Sequence, residues 1–411
     1  MKLGGKDLLP NTLWQRNLIV ISLAELIAIS GFTVFMPFMP YYIQTLGVTR
    51  LEEVEFWSGL LLSAQAITMA TAAPVWGSLA DRHGRKIMVV RAMLGGSVVI
   101  AMMGFASRVE YLVLLRAVQG VLTGTVPAAT TLVASSAPRE RRGYALGVLQ
   151  MAIYLGASAG PMLGGFIADN FGYRATFWTT GALLFSSGVL VAALVREEFV
   201  SPEETDDQKE KPRLWDGVLL VLHTRALMVV LGIRVLMRTG MRTVGPMLPL
   251  FVQEMVAADA KIATITGTIS GVAAAASAVS ALVLGRISDR IGYRRILLVC
   301  GTGACVLSVL TAGARNIIQL MILRALGGAA MGGILASISA LMATLAPKDR
   351  FGAVYGMDTS IVSAANAVAP MIGAGLAAGW GLTSVFLGAG AMYGMATIAV
   401  ASAIPAHKQT E

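Results

Sequence analysis

Twelve apolar runs, each of about 20 residues, decide what this chain can fold into. They lie near 17–41, 56–80, 87–106, 110–134, 144–168, 175–195, 227–253, 263–287, 296–314, 317–342, 353–377 and 382–404. Hydrocarbon offers backbone N–H and C=O groups no partner, so only helices or a closed barrel can cross it. Period-two alternation is absent from the runs, which leaves helices. Composition agrees: 56% of the residues are hydrophobic, 13% are charged and the mean hydropathy is +0.71. The expected fold is an all-α membrane protein with twelve transmembrane helices, both termini on one side.

Charge decides which side that is. The net charge of +9 comes from Lys and Arg scattered through short loops. That pattern points to membrane orientation and away from nucleic acid. Placing both termini inside leaves only Arg50, Arg108, Arg174, Lys261 and Arg315 in outer loops. The one long polar stretch, 196–225, carries acids first and bases after, and reads as a solvated cytoplasmic linker between residues 1–195 and 226–411. Cys300 and Cys305 sit within one apolar run on different helix faces, and the three histidines fall in loops or the tail. No metal site, cofactor, nucleotide loop or nucleophile constellation emerges, so an enzyme is not expected. The polar start leads into a run too long for a cleavable signal.

The chain also repeats itself. GSLADRHGRK, Gly77–Lys86, returns in the second half as GRISDRIGYRR, Gly285–Arg295, which carries Asp289 and Arg290 where the first copy has Asp81 and Arg82. PFMPYYIQ (37–44) returns as PMLPLFVQ (246–253), LLRAVQG as MILRALGG, and GPMLGG as APMIGA, all at one nearly constant offset. Two homologous six-span bundles follow, with a binding site expected between them near the midplane.

These motifs resemble those of the major facilitator superfamily over all twelve spans. The signals are Gly77-x-x-x-Asp81-Arg82-x-Gly84-Arg85-Lys86, Arg116-x-x-Gln119-Gly120, and Gly156-x-x-x-Gly160-Pro161-x-x-Gly164-Gly165. The fifth-span pattern is associated in that family with proton-coupled antiporters. The first-span Pro37-x-x-Pro40 with Leu46-Gly47 resembles bacterial twelve-span multidrug and tetracycline exporters. The resemblance implies that Asp81 faces the start of the eleventh helix, where its positive end favours a carboxylate. Arg85 would add a charge-assisted bond to that cytoplasmic latch; a loop that serves only orientation is the plainer reading. Gly84 permits a tight turn. Gly156, Gly160 and Gly164 form a small-residue stripe, Pro161 removes a helix donor, and Gly267, Gly271 and Ala275 form a second stripe. By resemblance the fifth and eighth spans meet across the halves, so the stripes are expected there, as a sliding surface or as static packing.

Ionisable groups inside spans normally face a cavity and a partner. Here they are Glu25, Arg116, Arg234, Arg238, Arg242, Arg324 and Asp358. Glu25 and Arg234 are repeat equivalents, each roughly 12 Å from the cytoplasmic side by helical rise, and could pair across the cavity. Arg238 and Arg242 continue a ladder at helical spacing. Glu25, Phe32 and Met36 share one face of the first span, offering a carboxylate and an apolar wall. Glu25 and Asp358 either take up protons, since burial favours a neutral carboxyl, or neutralise arginines. Arg116 resembles the family's fourth-span arginine linked to proton transfer; a structural hydrogen-bonding role is the alternative, and the better one for Arg324.

The expected function is exchange of protons for small amphiphilic drug-like compounds by alternating access, in a bacterial inner membrane and as a monomer. Glu25, Asp358 and Arg116 would couple; Phe32, Met36, Arg234, Arg238 and Arg242 would contact substrate. The arginine excess keeps open an anionic or zwitterionic cargo, such as an organic acid or lysolipid. A bundle kept as a non-transporting sensor is the third reading.

Overall fold

The structure is a computed structural model describing residues 2–3, 6–7, 12–138, 141–197, 224–257, 260–345 and 351–404. Twelve helical spans run through it, with bounds close to the apolar runs. The first comprises Leu13–Phe35, a 3-10 turn at Met36–Phe38, and Met39–Thr45. The second to sixth are Leu51–His83, Arg85–Met103, Val109–Leu122 with Thr125–Ser136, Arg142–Phe171, and Tyr173–Leu194. The seventh is Arg225–Val244 with Leu248–Gln253. The eighth to twelfth are Ile262–Ile291, Tyr293–Ala312, Ile317–Leu345, Phe351–Trp380 and Leu382–Ala403. Eleven are long and apolar enough to cross a bilayer. The seventh falls short because Arg234, Arg238 and Arg242 dilute it. Ahead of the first span, Lys2–Leu3 and Lys6–Asp7 pair as a minimal antiparallel ladder.

Three spans break where the sequence dictates. Pro37 and Pro40 interrupt the first, and in the seventh Pro246 sits in the break with Pro249 at the start of the helix after it, since proline lacks the N–H that continues a helix. In the fourth, Gly124 takes φ +131° between two half-helices. At the repeated loop, Gly84 and Gly292 adopt φ +94° and +92°. Their N–H groups close onto Ala80 and Ser288 carbonyls at 3.1 and 3.0 Å. A side chain would strain either corner.

Within the first half, the first span packs on the fifth and sixth, the third on the sixth, and the second on the fourth. In the second half, the eighth packs on the tenth, the ninth on the tenth and twelfth, and the seventh on the eleventh and twelfth. Fifth meets eighth and second meets eleventh between the halves. Phe105, Val299, Ile318 and Ile398 are exposed on the outside, the apolar belt a bilayer covers.

The stripe Gly156, Gly160 and Gly164 does not lie where it was expected. A Cβ on these glycines would run into Leu26, Thr33 and Val34 of the first span, so the stripe serves packing inside one half. The opposite face of the fifth span makes the contact between halves. Gly267 lies against the Pro161 carbonyl, Gly271 against Ser158 and Met162, and Gly165 against Ala263. The Ser158 hydroxyl donates to the Gly271 carbonyl at 3.1 Å. The fifth span has small residues on two faces, and a repeat every four residues marks only one of them. Its helix continues unbroken through Pro161.

The hydrogen bonds joining the halves gather toward one end of the bundle. There Gln44 and Gln253 exchange amide bonds at 2.9 and 3.0 Å, and Tyr41 donates to the Pro249 carbonyl at 2.5 Å while lying 2.9 Å from the Thr266 hydroxyl. Asp169 accepts the Ala263 and Thr264 N–H groups at 3.2 and 2.7 Å. A carboxylate is thereby placed on the positive start of the eighth span. Toward the other end, Thr71, Pro74, Val75, Gly77 and Ser78 of the second span are exposed.

Candidate functional site

A cavity of about 420 Å³ lies between the halves. Met36, Ser58 and Tyr154 line it from the first half; Arg238, Arg242, Arg324 and Tyr393 line it from the second. Among the described residues, no acid lines it. The volume suits a small organic molecule.

The arginine ladder divides its work. Arg234 turns to the eleventh span, where its Nε lies 2.7 Å from an Asp358 carboxylate oxygen, and its Nη1 donates to Ser339 at 3.3 Å. The expected pairing of Arg234 with Glu25 is therefore replaced by a pair inside one half, because the seventh span packs directly on the eleventh. Asp358 is a counter-charge in this state. Arg238 and Arg242 each donate Nε to the Asn366 Oδ1, at 3.2 and 3.1 Å. One amide oxygen thus gathers both guanidinium groups at the cavity wall. Asn366 was not singled out in the sequence, though the rule used for intramembrane charges applies equally to an amide in SIVSAANAVAP.

Glu25 is buried, with 0% of its surface exposed, and neither carboxyl oxygen has a hydrogen-bond partner among the described residues. Thr125, which opens the second half-helix of the fourth span, is its polar neighbour. Arg116 is 1% exposed. Its Nη1 donates to Gln119 at 2.7 Å, its Nη2 lies 3.3 Å from the Met36 sulfur, and its carbon centre sits 5.5 Å from the Phe35 ring centre. Arg116 therefore stands directly behind a wall residue, and its Nε has no hydrogen-bond partner among the described residues. Of the expected substrate contacts, Met36, Arg238 and Arg242 line the cavity. Phe32 packs instead against the apolar core and Arg234 stands off the wall.

At the expected cytoplasmic hinge, Arg85 and Lys86 give their backbone N–H groups to the two oxygens of Glu197, at 2.9 and 2.8 Å, so a residue after the sixth span caps the third. The side chains of Asp81 and Asp289 lie outside the described residues, and so do those at the start of the eleventh span. Gly77 is exposed with open space beside it, and Arg290 is exposed. Arg91, an arginine in the third span missed in the sequence, stacks 3.5 Å from the centre of the Trp76 ring.

Fold and cavity together define a polytopic helical carrier whose two halves enclose a ligand-sized space. The model of the Major Facilitator Superfamily matches residues 21–259 and 230–411. The chain belongs to that family of membrane transporters. Among its relatives is the multidrug resistance protein MdtG of Rahnella sp. (strain Y9602), 36% identical over 374 residues, covering 91% of this chain and 90% of the relative. MdtG of Klebsiella pneumoniae (strain 342) is 36% identical over 382 residues with the same coverage. Similar solved structures include a point mutant of the nucleoside transporter NupG, with TM-score 0.79 and 11% identity over 95% of this chain and 100% of that one. The human organic anion transporter MFSD10 gives TM-score 0.67 and 16% identity at 95% and 100% coverage. These two likenesses concern the fold alone.

Proposed function

We propose that this chain exports small amphiphilic, drug-like compounds from a bacterial cell in exchange for protons, by alternating access. The observation that carries the coupling is Glu25: fully buried, with no cation beside it among the described residues and the Thr125 hydroxyl as its one polar neighbour there. An isolated ionised carboxylate is very costly in such a place, so this state holds the neutral acid. Once water reaches the site, the carboxyl ionises. Arg116, buried behind Met36 in the same half, is assigned to the proton path by its resemblance to the family's fourth-span arginine. The relatives' description as multidrug resistance proteins supports the cargo class.

In this reading residues 1–195 and 226–411 rock about a linker at 196–225, and the monomer sits in the inner membrane with both termini cytoplasmic. The end closed by Gln44, Tyr41 and Asp169 is then the outer one, and the structure is the inward-facing state. The latch assigned to Asp81 and Arg85, turning on Gly77 and Gly84 with Asp289 and Arg290 as second copy, holds the opposite end in the other state. Transport into proteoliposomes with and without a pH gradient tests the coupling. Gradient-driven substrate movement should vanish in Glu25→Gln, and unchanged movement would reject it.

One observation favours a second reading of the cargo. Arg238, Arg242 and Arg324 line the cavity with no acid among the described lining residues. Such a wall suits an anionic or zwitterionic amphiphile, which a guanidinium fork can bind through two hydrogen bonds. Competition between anionic and cationic amphiphiles in one binding assay separates the two.

A further inference from the structure

One buried acid is left over from this scheme. Glu55, in the first turns of the second span, is only 2% exposed and has no hydrogen-bond or ion-pair partner among the described residues. One turn inward on the same helix face, Gly59 meets the eleventh span, with its Cβ position 3.0 Å from the Pro370 carbonyl and 3.1 Å from Ala374. Ser58 and Leu62, on the same side, line the cavity. Glu55 therefore stands where the halves close over the cavity, at the end sealed by Gln44 and Gln253.

The charges around it have the wrong sign for an anion. Glu52 on its own helix and Glu254 at the end of the seventh span are the charged groups acting on it. The eleventh span presents Pro370, Met371 and Ala374 to the neighbouring Gly59, and the first span ends in the uncharged Gln44 and Thr45. Arg50 is occupied elsewhere, 3.5 Å from both Glu52 and Glu53. An ionised Glu55 would face two acids in the closed seam, and that repulsion opposes closure.

We infer that Glu55 is a proton-operated catch of the outer gate: the seam closes when its carboxylate oxygen takes a proton from the external medium, and opening returns that proton to the same side. External acid then favours the inward-facing state independently of the proton held at Glu25. The inference rests on the alternating-access reading above, which fixes the outer side.

The test is a distance measurement between spin labels at Thr49→Cys and Ala257→Cys, in a protein whose Cys300 and Cys305 are replaced, reconstituted at a series of pH values. The ratio of closed to open seam should rise by up to about tenfold per unit of falling pH, the limit for one proton. Glu55→Gln should stay closed throughout with this slope lost. Glu254→Gln should stay closed to higher pH than wild type, with a shallower response, because an ionised Glu55 then meets one repelling charge fewer in the closed seam. A Glu55→Gln protein that keeps the wild-type slope overturns the catch while leaving alternating access intact. A seam fixed at one distance with and without substrate overturns both. Monodisperse elution of each variant guards against misfolding.

Discussion

Arg234 and Asp358 form an ion pair at 2.7 Å, seventh span to eleventh, wholly inside the second half. The pair fixes the orientation of the ladder, since Arg238 and Arg242 on the same helix face converge on Asn366 of the same partner span. Removing one partner leaves the other largely buried and unpaired. Asp358→Asn should therefore destabilise the protein by about 3 kcal/mol, toward the lower end for a broken buried pair because Arg234 keeps some exposure. Arg234→Met with Asp358→Leu should restore much of that loss. Apparent melting in detergent of the two single variants and the double variant checks both signs.

The two glycine faces of the fifth span should behave differently. Gly164 touches the first span so closely that a methyl group would collide with the Val34 carbonyl, and backbone cannot yield as a flexible side chain can. Gly164→Ala should abolish monodisperse protein. Gly267 lies between the halves, against the Pro161 carbonyl. Gly267→Ala should leave each half folded and hold the seam apart, seen as faster labelling of a cysteine at Ser58 from outside. Equal loss of folded protein in both variants would contradict this division.

Asp169 caps the eighth span from across the seam. A carboxylate at a helix start contributes about 0.3–2 kcal/mol, so Asp169→Asn should shift the gate toward open by roughly two- to thirtyfold. The same labelling assay at Ser58→Cys reads it, and high salt should diminish the difference between wild type and variant.

Much of this was legible in the residues. Apolar length gave the spans, and the repeated Gly84 and Gly292 gave the corners, because both depend on local sequence. Asp169 shares with Asp81 and Asp289 a place three residues before a corner glycine, but that spacing does not reveal the helix start it caps across the seam. The partner of Arg234 was not legible. Repeat symmetry relates Glu25 to Arg234 in position, but symmetry sets depth and says nothing of which neighbour a rotamer turns toward. Phe32 was lost for a similar reason: a share in one helix face with Met36 does not decide which residue meets the cavity and which meets the packed core. Glu55 escaped notice because it sits at the mouth of a span among exposed acids, and only packing shows it to be buried.

Arg238 and Arg242 give one N–H each to Asn366 and both line the cavity. If the occupant is anionic, Arg238→Ala and Arg242→Ala should each weaken its binding by about tenfold, the scale of one lost charge-assisted bond. Lysine at either position should restore charge but not full affinity, having no planar fork. Asn366→Ala should cost less, since it frees the guanidinium groups without removing them. Fluorescence competition with matched anionic and cationic amphiphiles checks the order; a cation that binds better to wild type than to Arg238→Ala would reject an anionic cargo.

Glu25 allows a sharper test than loss of transport. Under the proposed coupling the site holds a neutral acid in this state, so Glu25→Gln keeps the shape, leaves no charge to bury, and should match or exceed the wild type in melting temperature. Removing a carboxyl that served as a counter-ion would do the opposite. Above the pH at which Glu25 ionises in opened protein, the wild type must take a proton to close around the residue, and the amide need not. The stability gap should therefore widen as pH rises and vanish in acid, because the wild-type folded state binds a proton that the unfolded chain has released. Substrate exchange without a gradient should survive in Glu25→Gln while uphill movement is lost. A variant that melts lower than wild type at every pH would show that Glu25 is charged and paired, and the coupling assigned to it would fall.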